Sequence, residues 1–167
     1  MHLLSSGEFS VDSNVVADFF LVGKLDLLCG LLQGRLLASD FVLNELEEAS
    51  ISLPCAEVVT LSAEEELALF DAIRKNNPPL GSGEVGALTV AKLRRCSVIT
   101  NDNRARRAAE ELGIRVSGTL GVLEYAVAAD HITAEEAVEI LEQMIQAGAW
   151  FSDELVRMFR TRILEED

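Results

Sequence analysis

Five short apolar runs, each followed by a stretch with helical spacing, constrain this chain more than any other feature. They lie at 8–11, 35–38, 58–61, 97–100 and 114–117. A run of four residues without polar alternation suits a strand covered on both faces. A strand joined to the next by a helix pairs with it in parallel, because the crossover has to return the chain to the same end. Repeated strand–helix units therefore predict an α/β protein of three α/β/α layers around a central parallel sheet. Helices are expected at about 15–32 with a break near Gly23, from Ser39 or Asp40 to 48, and from the capping sequence Ser62-Ala-Glu-Glu65 to 75. Further helices follow at 83–95, 103–112 and 119–129. A second capping sequence, Thr133-Ala-Glu-Glu136, opens one to 146, and Ser152 opens the last. No linker or repeat divides the chain. The expectation is one domain over 1–167, with an α/β core at 8–118 and a C-terminal helical extension at 119–167.

Composition narrows the function classes. The net charge of −14 argues against a broad phosphate-binding surface, which would need Lys and Arg. The basic residues are unevenly placed, however. Lys92, Arg94, Arg95, Arg104, Arg106 and Arg107 supply six of fourteen within sixteen positions, while acids gather at Glu64–Glu66 and in the tail Glu165-Glu166-Asp167. No apolar run reaches spanning length, so no membrane association is expected, and the first residues lack the pattern of a signal peptide. Cys29, Cys55 and Cys96 are odd in number, distant and set among apolar residues. They read as reduced core cysteines of a cytoplasmic protein.

Chemistry concentrates in the acids. In an open parallel sheet, ligands bind beyond the carboxyl ends of the strands. Two runs end there in an acid, EFSVD at Asp12 and SVITND at Asp102, each directly before a helix whose N-terminus favours negative charge. Either Asp also suits a helix cap. Helix phase adds two more acids. Glu45 shares the apolar face of its helix with Phe41, Val42 and Ala49, whereas Asn44, Glu47 and Glu48 face away. Glu84 heads the stripe of Ala87, Leu88 and Ala91. A partly buried pair with an arginine would also explain Glu45, and a favourable first-turn charge would explain Glu84.

If Asp12, Glu45, Glu84 and Asp102 converge, their repulsion demands protonation or a cation. An all-oxygen set without His or Cys selects Mg²⁺ or Mn²⁺ over zinc. Such an ion activates water and steadies a phosphodiester, which points to metal-assisted phosphoryl-ester hydrolysis. Ser13, Asn14, Thr100 and Asn101 are placed to orient the carboxylates or their waters. Arg104 and Arg107 lie off the apolar stripe of Ala105, Ala108, Ala109 and Leu112, either to meet phosphates or simply to face solvent. Arg106 is spaced to pair with Glu110.

With VDSN at Asp12, VLNEL at Glu45, GSGEVGAL at Glu84 and ITND at Asp102, residues 8–118 resemble a PIN domain, the small nuclease fold of VapC-type toxins. The later GTLGVLEYA and GAWFSDEL segments are similar to an uncharacterised prokaryotic PIN-like subfamily, extending the likeness over nearly the whole chain. The resemblance implies an RNA substrate cleaved with one or two Mg²⁺ or Mn²⁺ ions at these four acids. It also implies a homodimer and an antitoxin protein that blocks the site. Glu84 stands where many PIN domains carry Asp. A phosphatase of the HAD type would need a second Asp at Asn14, and a receiver domain would need a Lys near Ser117-Gly118. The alternative within the resemblance is a PIN-fold module that binds nucleic acid or protein with little or no nuclease activity.

Overall fold

In a computed structural model, which describes residues 2–165, the five apolar runs form β1 (Phe9–Val11), β2 (Leu36–Ser39), β3 (Glu57–Val59), β4 (Ser97–Ile99) and β5 (Val116–Ser117). All pair in parallel, in the order β3-β2-β1-β4-β5. The connections run outward from β1 in one direction as far as β3, then cross back to β4. This makes the junction of β1 and β4 the point where winding reverses and a crevice opens. The carboxyl ends of those two strands are locked in register. Val11 pairs with Ile99, and the Asp12 amide donates to the Ile99 carbonyl at 2.9 Å.

The helices are α1 (Ser13–Leu21), α2 (Leu25–Leu31), α3 (Asp40–Glu48), α4 (Glu64–Asn76), α5 (Ser82–Arg94), α6 (Asn103–Glu111), α7 (Thr119–Ala128), α8 (Ala134–Gln146) and α9 (Asp153–Glu165). α5 is the most deeply set, with Val85 through Ala91 buried. Its small residues bring it against β1 and β2, and the Ser10 hydroxyl donates to the Ala87 carbonyl at 2.7 Å. α4 and α6 flank α5, while α1, α2, α7 and α8 pack together, and α3 touches both α1 and α5. α3 thereby sets Glu45 between two other helices. The three-layer α/β/α architecture and the C-terminal helices follow the expectation from the strand–helix alternation.

The break expected near Gly23 is present, with Gly23 at φ 69° between α1 and α2. Two local expectations need correction. The α4 cap sits one residue later than its sequence pattern suggests. Ala63 stands at the cap and Glu66 closes the turn, accepting from the Ala63 amide at 2.8 Å. Finally, Cys29 and Cys55 are joined in a disulfide, which overturns the reading of these two as reduced thiols. Packing of α2 brings their Cα atoms to 5.7 Å across a separation of 26 residues that spacing alone concealed. Cys96 is free and half-buried. Among the described residues no helix is long and apolar enough to cross a membrane. Of the acidic tail, Glu166 and Asp167 lie outside the described residues, as does Met1 of the expected domain.

Candidate active site

Asp12 is the hub. It follows β1 directly, caps α1 and is almost wholly buried. Its Oδ1 accepts from the Ser13 amide at 2.8 Å. Its Oδ2 accepts from the Thr100 hydroxyl at 2.9 Å and the Asn14 side-chain amide at 3.2 Å. These donors and the helix terminus all favour the ionised form, a terminus alone contributing about 0.3–1 kcal/mol. Burial nevertheless wins, pushing the carboxyl up to about 6, with the Glu45 and Asp102 charges adding to the rise.

Two hydrogen-bonded bridges join Asp12 to the other acids. The Ser13 hydroxyl donates to Glu45 Oε2 at 2.6 Å, while the Gly83 amide donates to Glu45 Oε1 at 3.0 Å. Glu45 thus takes a hydroxyl and a helix amide, not the arginine that its burial could also have implied. On the other side the Asp102 amide donates to the Thr100 hydroxyl at 3.3 Å. Asp102 Oδ1 caps α6 by accepting from the Ala105 amide at 2.8 Å. The cap and the inward position coexist, because one carboxylate carries two oxygens with about four acceptor positions.

Glu84 enters from the first turn of α5. Its Oε2 accepts from the Gly81 amide at 3.3 Å, the first-turn role noted above. Yet burial pushes its carboxyl up to about 7, and the charges of Asp102, Asp12 and Glu45 add to that rise. All four acids therefore share one electrostatic neighbourhood, supplied by β1, α3, α5 and the β4–α6 junction.

The donor set suits a hard divalent cation: carboxylate oxygens, no His or Cys, and unrelieved mutual repulsion. Among the described residues no three of these side chains stand at full metal-gripping spacing. That spread is compatible with Mg²⁺, which keeps several waters and needs only one or two direct carboxylates.

Gly83 was not foreseen and is tightly constrained. A Cβ there would collide with the carboxylate of Glu45. Ala at a helix position gains about 0.5–1 kcal/mol over Gly, close to the value of the one hydrogen bond lost. We expect Gly83→Ala to fold normally while swinging Glu45 aside, so that any activity this site supports falls about 10- to 100-fold in the purified variant. Full activity in that variant would remove Glu45 from the site.

Asn101 does not reach the four acids with its side chain. Its amide nitrogen donates to Asp18 Oδ2 at 2.8 Å and lies 2.7 Å from Thr119 Oγ1. Its oxygen accepts from the Thr119 amide at 2.9 Å. The Thr119 hydroxyl also donates to Asp18 Oδ2 at 2.8 Å. Burial pushes the Asp18 carboxyl up, against these hydrogen bonds. This network pins the end of β4 to the start of α7. Its sequence signal was an acid inside the otherwise apolar VVADFF segment of α1.

The clustered basic residues divide between opposite ends of the molecule. Arg94 pairs with Glu8 and Glu57 at the amino end of the sheet, far along α5 from Glu84. Arg104 and Arg107 are exposed on α6 beside Asp102. Arg106 does not form the expected pair with Glu110. Its Nη1 turns inward to the Thr100 carbonyl at 2.9 Å, because the guanidinium is drawn under the β4–α6 turn.

No curated protein matches the chain. A family model described as a PIN domain matches residues 9–165, and PIN domains are generally nucleases. The match takes in both the parallel core and the C-terminal helices, so the chain belongs to the PIN-domain family.

Proposed function

We propose that this protein is a metal-dependent ribonuclease that hydrolyses RNA phosphodiester bonds, with Asp12, Glu45, Glu84 and Asp102 holding Mg²⁺ or Mn²⁺. The observation that carries this reading is that four carboxylates from four separate elements act on one another's charge around the β1–β4 junction, although they are not drawn together to direct metal-gripping spacing. Two of them are held well above the usual carboxylate range. Perturbed acids gathered at a sheet's switch point are a functional arrangement more than a stabilising one, since their burial and repulsion cost folding energy. When bound, the cation lowers the pKa of a water and offsets phosphate charge.

The chain's own groups do the positioning. Ser13 and Gly83 hold both oxygens of Glu45, and Thr100, Asn14 and the Ser13 amide hold Asp12. Arg104 and Arg107, exposed within the first five residues of α6 and close in sequence to Asp102, are available to the phosphates of a bound strand. The likeness to VapC-type toxins extends the proposal to a cytoplasmic homodimer silenced by an antitoxin protein. The net charge of −14 and the spread of the acids favour a second reading, a PIN-fold binding module with little or no cleavage.

Incubation of the purified protein with single-stranded RNA separates the two. Cleavage in Mn²⁺ and none in EDTA is the expected result. Intact RNA in Mn²⁺ would leave the binding module, and equal cleavage in EDTA would exclude a metal-dependent reaction.

A further inference from the structure

Next to the acids, beyond Asp102, a cavity of about 490 Å³ opens between the β5–α7 turn, α6 and one face of α9 as far as Arg162. Small-molecule sites typically span about 300–1,000 Å³. Asn101 and Asn103, the two chain neighbours of Asp102, form part of its wall. Consecutive Cα atoms are about 3.8 Å apart, so the cavity and the acid cluster adjoin.

Two groups in the cavity lack an adequate structural explanation. Arg106 is half-buried; Glu110 attracts it from a distance, but among the described residues no carboxylate contacts it as an ion pair, and its guanidinium donates to the Thr100 carbonyl. A partly desolvated cation in an acidic protein calls for an anion. Trp150, the only tryptophan of the chain, is 77% exposed. At that exposure the indole adds little to the core, and it stands at the cavity beside half-buried Phe151.

We infer that this cavity is a nucleotide subsite. It takes one unstacked base of a single strand against Trp150 and the adjoining phosphate at Arg106, next to the bond presented to the acids. A single-stranded base offers a face to any aromatic ring, and its phosphate supplies a contacting anion, stronger than the distant attraction of Glu110. A purely apolar peptide helix would fill the cavity but bury that guanidinium further with no anion in contact to balance its charge. The identification of the strand as substrate rests on the ribonuclease reading; the subsite itself does not require cleavage.

Trp150 is its own reporter. In EDTA, titration of the native protein with a uridylate hexamer or with uridine 5′-monophosphate is followed by tryptophan fluorescence. Saturable quenching by the hexamer is expected, weakened roughly tenfold by Arg106→Gln, which keeps a donor for the Thr100 carbonyl but removes the charge. In Mn²⁺, Trp150→Ala is expected to raise KM for RNA roughly tenfold with a smaller change in kcat. Unchanged fluorescence at saturating hexamer, or quenching indifferent to Arg106→Gln, overturns the subsite even if RNA is cleaved in Mn²⁺. Monophosphate binding as tight as the hexamer overturns its assignment to a strand. Quenching without any cleavage supports the subsite and removes the ribonuclease reading instead.

Discussion

Asp102→Asn is expected to lower Mn²⁺-dependent RNA cleavage at least about 100-fold while leaving far-ultraviolet circular dichroism unchanged. The two halves of this expectation come from different atoms. Asp102 Oδ1 caps α6, and Asn serves almost as well as Asp at an N-cap, so the helix keeps its start. What disappears is one of four negative charges sharing the β1–β4 junction, and with it much of the pull on a divalent cation. Some recovery at raised Mn²⁺ would fit a weakened ligand set. Cleavage equal to that of the parent protein would show that Asp102 is only a cap.

Asp12→Asn should make the metal-free protein more stable. Burial raises the Asp12 carboxyl to about 6 from an ordinary value of 3.8, a shift of about two pH units. At 1.36 kcal/mol per unit, the ionised form costs on the order of 3 kcal/mol of stability. The sign follows from the fold's preference for the protonated acid. This penalty is absent below the unfolded value, grows as pH rises through the folded value, and is complete at neutral pH. In EDTA the Tm of the parent protein should therefore fall between about pH 4 and pH 6 through this group, and the Asn variant should lack that component. At pH 7.5 the variant should melt several degrees higher, as about 4–8 °C per kcal/mol applies to a small domain and less to one of this size. Mn²⁺ should raise the Tm of the parent and barely move that of the variant. A variant less stable than its parent in EDTA would show that the hydrogen bonds from Ser13, Thr100 and Asn14 outweigh burial. Such an exchange of stability for function is common at sites that carry charge.

Much of this molecule was readable before folding. Alternating apolar runs and helical spacings located five strands and the surrounding helices, because strand and helix periods are local properties of the chain. Helix phase correctly separated half-buried Glu45 from exposed Asn44, Glu47 and Glu48. Strand ends were displaced where exposed edge residues replaced the apolar signal. Val58 is exposed in β3, for example, and Leu61 lies past its end. The role of Gly83 was hidden because its lack of a side chain matters only through Glu45, 38 residues away. Asp18 and Thr119, 101 residues apart, escaped for the same reason, and so did the pairing of Cys29 with Cys55.

Arg106 shows where local reasoning stops. Its spacing from Glu110 permits a surface pair worth only a few tenths of a kcal/mol. That is too little to hold the guanidinium outside when the Thr100 carbonyl lies within reach. The α/β class, the order of the four acids and the faces from which they project were legible in the chain alone, because these depend on residues a few positions apart. Which donors hold each acid, how far burial shifts it, and that Arg106 turns towards the cavity beside Asp102 emerge on folding. Those outcomes depend on solvent exclusion and on contacts between chain segments that are distant in sequence.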